Sequence, residues 1–134
     1  MILVDTGPLV ALSNAEDQHY AACAAAIKSI VSPLGTVWPV LTETMYLLGR
    51  FPEAQSNIWE MVTRGIMQIL PLGASDVPRI RELMQQYADR PMDLADAALI
   101  RVAEREGLRR FFTVDRKDFS VYRIHGTIRP VILP

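Results

Sequence analysis

The 134-residue sequence contains one cysteine, Cys23, so no disulfide framework can form within the chain, and a reducing, cytoplasmic setting is expected. Histidine is nearly as scarce. His19 and His125 are the only two, and no serine stands in a G-x-S-x-G setting, which leaves a nucleophilic triad without its parts. Neither G-x-G-x-x-G nor G-x-x-x-x-G-K-[ST] occurs, which argues against dinucleotide and P-loop binding. Fourteen Lys plus Arg against fifteen Asp plus Glu give a net charge of -1, so no bulk basic field attracts a polyanion. Any polyanion has to be held by local groups or by bound cations. There is no apolar run of membrane-spanning length, and no cationic segment followed by an apolar stretch and a cleavage site. A soluble, untargeted protein with no membrane association is expected.

Half of the residues are apolar, enough for one compact domain spanning 1–134. Ile2 to Val4 form an apolar strand that runs straight into Asp5, and "TGPLVALSN" follows with Pro8 placed for a first helical turn. Residues 16–31 are helical by alanine content and apolar spacing. "TVWPV" (36–40) reads as a second strand, and 41–50 and 53–65 as a helical hairpin with Glu43 in its first turn. "IMQIL" (66–70) is the next strand, followed by a helix over 75–89 capped by Ser75. The strongest helix covers 93–107, with Asp93 as cap and Gly107 as terminator. "FFTV" (111–114) and "RPVIL" (129–133) complete the strands. Alternating strands and helices predict a three-layer α/β/α sandwich around a mainly parallel sheet of four to five strands.

Two apolar strands end in carboxylates, "ILVD" at Asp5 and "FFTVD" at Asp115. Strand C-termini and helix N-termini share one edge of such a sheet, so Glu43, Asp93 and Asp96 are expected to join them there. Capping alone accounts for Asp93, and Asp96 three residues on suits the helix dipole; turn chemistry does not require aspartate at two strand ends. Five acids cannot all stay ionised in a partly dry site without cations, because each raises the others' pKa. Oxygen-only ligation without His or Cys suits Mg²⁺ or Mn²⁺, and a pair of such ions can clamp an in-line phosphoryl displacement.

The stretches "ILVDTGPLVAL", "LTETMYLL", "MDLADAALIRVAE" and "FFTVDRKDF" resemble, in order and spacing, a PIN domain of the kind found in VapC-type toxins of type II toxin–antitoxin pairs. The resemblance covers nearly the whole chain. It implies a Mg²⁺-dependent endoribonuclease whose acidic pocket comprises Asp5, Glu43, Asp96 and Asp115, with Asp93 and Asp118 as further candidate ligands or supports. Thr6 and Thr113 would stand behind the acids. Hydrolysis of an RNA phosphodiester would then need no protein nucleophile. Arg116 and Lys117, beside Asp115, are the candidates for touching the RNA backbone. The resemblance also implies a VapB-like antitoxin and a homodimer, for which Met45, Tyr46, Trp59 and Met61 are candidate contacts, although core burial is the default for each.

Three rivals stand beside this reading. A PIN-like nuclease could act in RNA processing without an antitoxin. A receiver-type regulatory module would need a lysine after a late strand, and neither Lys28 nor Lys117 fits that place. A catalytically dead interaction protein would have no use for the intact acidic set.

Overall fold

The computed structural model describes residues 1–134 and is built on a five-stranded, all-parallel sheet in the order β3-β2-β1-β4-β5. The strands are β1 (Ile2–Val4), β2 (Leu34–Thr36), β3 (Met67–Ile69), β4 (Arg110–Phe112) and β5 (Val131–Leu133). The helices are α1 (Thr6–Leu12), α2 (Tyr20–Ser29), α3 (Trp38–Leu47), α4 (Pro52–Thr63), α5 (Val77–Gln86), α6 (Leu94–Glu106) and α7 (Arg116–Phe119). Every residue of β1 and β2 is buried, as strands covered on both faces require; β1 is wholly apolar, and the one polar side chain of β2, Thr36, donates its hydroxyl to the Val4 carbonyl at 2.9 Å. The architecture is the expected α/β sandwich, and no helix is long and apolar enough to cross a membrane.

The chain winds outward from β1 through β2 to β3, then returns to place β4 and β5 on the other side of β1. The order therefore reverses between β1 and β4, and the crevice at their C-terminal ends is the position where open parallel sheets bind ligands. Pairing of Leu3 with Phe111 and Val4 with Phe112 sets Asp5 beside Thr113 at that crevice.

The core joins the strands to α6, in which Ala97, Ala98, Leu99, Ile100, Val102 and Ala103 are buried. Gly107 closes α6 at φ 68°, a left-handed C-terminal position that glycine occupies without a Cβ penalty. Charged groups fasten α5 to α6. Arg79 donates to both oxygens of the buried Glu104, at 2.8 and 2.9 Å. Asp76, also buried, accepts from Arg101, Arg105 and the Gly73 N–H, each at 2.9 Å. The Gly73 bond and the two arginines hold the Asp76 carboxyl below the usual aspartate range.

Four expectations need correction. The second strand is Leu34–Thr36 rather than 36–40, because Trp38 and Pro39 already open α3; proline's fixed φ suits a first helical turn and its missing N–H suits no strand interior. Glu43 consequently lies in the second turn of α3, not the first. Ser75 sits inside a 3-10 turn, Ala74–Asp76, so the capping carboxylate is Asp76, whose side chain takes the Gly73 N–H. Finally, α2 begins at Tyr20, because the side chains of Asn14 and Asp17 accept the N–H groups of Glu16 and His19 and fix turns there.

Candidate functional site

Asp5 follows β1 directly, and its N–H still bonds to the Phe112 carbonyl at 3.0 Å. Its side chain then turns to cap α1. Oδ1 accepts the Thr6 N–H at 2.8 Å, and Oδ2 accepts the Thr113 hydroxyl at 2.9 Å. Gly7 lets α1 begin this close to the neighbouring loop, since a Cβ there would lie 2.4 Å from Cγ2 of Val114. Thr113 in turn accepts the Asp115 N–H at 3.0 Å, so one buried hydroxyl links the two strand-end acids. Asp115 caps α7, with Oδ1 taking the Asp118 N–H at 3.2 Å.

The other acids arrive on helices. Asp93 caps α6 by accepting the Asp96 N–H at 2.8 Å, and the Oδ2 of Asp96 accepts the Tyr122 hydroxyl at 2.7 Å. α3 packs against α6 and carries Glu43 to the neighbourhood of Asp93. The Thr6 hydroxyl lies near enough to favour the ionised form of Glu43, yet it completes no hydrogen bond and remains a buried polar atom without a partner.

Burial dominates the electrostatics of the group, and like charge adds to it. Burial pushes Asp5 up to about 6, with the charges of Asp93 and Glu43 adding to the shift and its two hydrogen bonds opposing it. Asp96 is pushed up to about 8, first by burial and then by Asp5, Asp93 and Asp115. Glu43 and Asp115 are raised too, again chiefly by burial, and both feel Asp93. Tyr122 is held protonated well beyond the ordinary phenol range by its burial and its bond to Asp96.

Whether a cation suits these residues can be judged from their atoms. The donors are all oxygen; Asp93, Asp96 and Asp115 each accept through one carboxylate oxygen and leave the other free. The orphaned Thr6 hydroxyl adds a polar atom with nothing to bind. As they stand, no three acids converge closely enough to make a finished coordination shell. Charge and donor type fit a hard divalent cation.

Asp118 and the two basic candidates are placed differently from the ring of acids. Asp118 is ion-paired with Arg90 at 3.0 Å. Arg116 is exposed and donates to the carbonyl oxygen of Pro134, while Lys117 is exposed on the same turn. Sequence reasoning missed Tyr122 and Arg90, whose contacts reach across 26 and 28 residues and leave no local spacing to detect.

A parallel sheet whose switch point gathers carboxylates at its C-terminal edge, without histidine or thiol, defines an α/β protein with an acidic sheet edge. More particularly, the chain belongs to the PIN domain family, whose model matches residues 2–124. Ribonuclease VapC26 of Mycobacterium tuberculosis is 27% identical over 135 residues, covering 99% of this chain and all of the relative. The crystal structure of VapC20 from Mycobacterium tuberculosis, described as a toxin cleaving the sarcin–ricin loop, superposes with a TM-score of 0.79 at 22% identity. The match covers 87% of this chain and 92% of that one. A toxin–antitoxin complex from Klebsiella pneumoniae matches with a TM-score of 0.69 at 20% identity, over 99% of this chain and the whole of the other. VapBC2 of Rickettsia felis, solved with a DNA fragment from the promoter of its genes, gives 0.62 at 17% identity, over 98% and 97% of the two chains. These structural likenesses extend the fold assignment to nearly the full length.

Proposed function

We propose that this chain is a VapC-type endoribonuclease, the toxin of a toxin–antitoxin pair, using Mg²⁺ or Mn²⁺ to hydrolyse RNA phosphodiester bonds. One observation carries the reading: Asp5, Glu43, Asp96 and Asp115 are gathered with Asp93 at a single sheet edge, where burial first and neighbouring negative charge second raise the carboxyls of Asp5, Glu43, Asp96 and Asp115, a stress that a bound cation relieves. The full-length likeness to a ribonuclease supports it.

In this reading Asp5, Asp96 and Asp115, with Glu43, would hold the ion, which when bound would make water acidic enough to attack at neutral pH and offset the charge of the scissile phosphate. Asp93 fixes the start of α6 and lends further negative charge. Thr6 and Thr113 stand behind the acids, and the Thr113 hydroxyl keeps Asp5 and Asp115 in register. A carboxylate with a free oxygen accepts the proton released by the attacking water. Asp118, occupied by Arg90, supports α7 rather than the ion. Lys117 and Arg116 contact the RNA backbone beside the pocket.

Partner binding belongs to the same reading. Tyr46 is 84% exposed, Trp38 54% and Trp59 39%, while Met45 and Met61 are half-buried against the core. The aromatic band on α3 and α4 next to the acids is the surface proposed for a VapB-like antitoxin and for homodimerisation. A single PIN domain over 1–134, working in the cytoplasm, completes the proposal.

The test is cleavage of a mixed pool of structured RNAs by purified protein in Mg²⁺, in Mn²⁺ and in chelator, beside Asp115→Asn. Metal-dependent cutting abolished by the substitution is expected. Cutting that persists unchanged in chelator or in the variant would overturn the reading.

A further inference from the structure

Tyr122 lies beyond α7 and is completely buried. Its ring meets Tyr87 edge-on at 5.1 Å and Phe119 edge-on at 5.2 Å, so the side chain has no freedom to swing. The backbone on which it rides is pinned as well. The Arg123 N–H donates to the Tyr87 hydroxyl at 3.0 Å, and the Arg123 guanidinium folds back onto the carbonyls of Ser120, Val121 and Tyr122 at 2.7, 3.0 and 2.9 Å. Two residues further on, the His125 N–H is taken by Glu104 at 2.6 Å, and Glu104 is itself gripped by Arg79.

All of this rigidity ends at one atom. The Tyr122 hydroxyl donates to Oδ2 of Asp96 at 2.7 Å, the only side-chain bond made by that carboxylate. A buried phenol needs an acceptor, but the core around it also contains backbone carbonyls; here it meets an acid of the cation pocket. Thr113 does the same for Asp5. Donors behind a ligating carboxylate fix which oxygen faces the ion and at what angle.

We propose that Tyr122 is a positioning residue: its hydroxyl holds Oδ2 of Asp96 so that Oδ1 is presented to the cation. The role rests on the reading of the acids as a cation site. It predicts that the hydroxyl matters to metal affinity while the ring matters to stability, two effects that a single-atom deletion separates.

The experiment is calorimetric titration of the full chain with Mn²⁺ alone, comparing wild type, Tyr122→Phe and Ile58→Val. Ile58→Val trims a buried side chain of α4 outside the aromatic cluster, and so controls for lost packing. Tyr122→Phe is expected to weaken Mn²⁺ binding by about 10-fold to 100-fold, with Ile58→Val unchanged and with RNA cutting by Tyr122→Phe restored by excess Mn²⁺. Wild-type affinity in Tyr122→Phe, or equal losses in both variants, would overturn the role while leaving the cation site intact. Absence of Mn²⁺ binding by wild type would overturn both. A second readout needs no variant at Tyr122: in chain labelled with 3-fluorotyrosine, the Tyr122 resonance, identified by elimination among the four tyrosines, is expected to move on adding Mg²⁺. An unmoved resonance would count against the proposal.

Discussion

Replacing Asp5 by asparagine should make the metal-free protein more stable at neutral pH, although it weakens a bond to Thr113. Asp5 is 8% exposed and its pKa is raised from 3.8 to about 6 by burial and by Asp93 and Glu43. The sign follows from the protons bound. Between the two pKa values the folded state holds a proton that the unfolded state has lost, so stability falls as pH rises through this window and stays low above it. At about pH 7.5 the ionised side chain costs the fold about 3 kcal/mol, from about 2.2 units at 1.36 kcal/mol each. At about pH 4.5 the cost shrinks to about 1 kcal/mol. Asparagine keeps an acceptor for the Thr6 N–H but weakens the bond to Thr113, a loss of about 1 kcal/mol at either pH. Asp5→Asn should therefore exceed wild type by about 2 kcal/mol at the higher pH and match it at the lower one. Urea titrations in chelator at both pH values measure this directly. Adding Mn²⁺ should then stabilise wild type and leave the variant unmoved, reversing the order. If Asp5→Asn is destabilised equally at both pH values, Asp5 serves the fold through its bond to Thr113, and the argument from buried, crowded charge fails.

Asp76→Asn breaks a buried carboxylate's bonds to Arg101 and Arg105, and denaturant titration at neutral pH should show a loss of about 2–4 kcal/mol. Because the folded-state pKa of Asp76 is lowered, that wild-type advantage should fade as pH falls below about 4. Leu99→Ala, in the buried face of α6, should cost about 2–5 kcal/mol in the same assay. Gly7→Ala forces Val114 to move and should cost about 1–3 kcal/mol, with amide exchange rising over 113–115. Tyr46→Ser should leave stability within about 0.5 kcal/mol, since the ring is exposed, while weakening binding of a co-expressed antitoxin measured by calorimetry.

The local pattern of residues determined which elements form. The apolar triplet Ile2–Val4 makes β1 and the buried Phe111 and Phe112 make the inner part of β4, Asp93 and Gly107 mark the ends of α6 by capping chemistry that acts within a turn, and the aspartates that follow these strands, Asp5 at once and Asp115 three residues on, mark the candidate edge. Where two local signals compete, composition loses to backbone geometry: "TVWPV" has strand composition, but Pro39 sits in the first turn of a helix. The tertiary structure alone decided which residues meet. The register of β1 on β4 brings Thr113 to Asp5, and the packing of the segment after α7 brings Tyr122 to Asp96 and Asp118 to Arg90. Those pairs are 108, 26 and 28 residues apart, far beyond helix or strand periodicity. The crowding that raises Asp5 and Asp96 is likewise a property of the assembled sheet edge, because burial and the nearness of like charges come into being only when strands and helices from across the chain close around it.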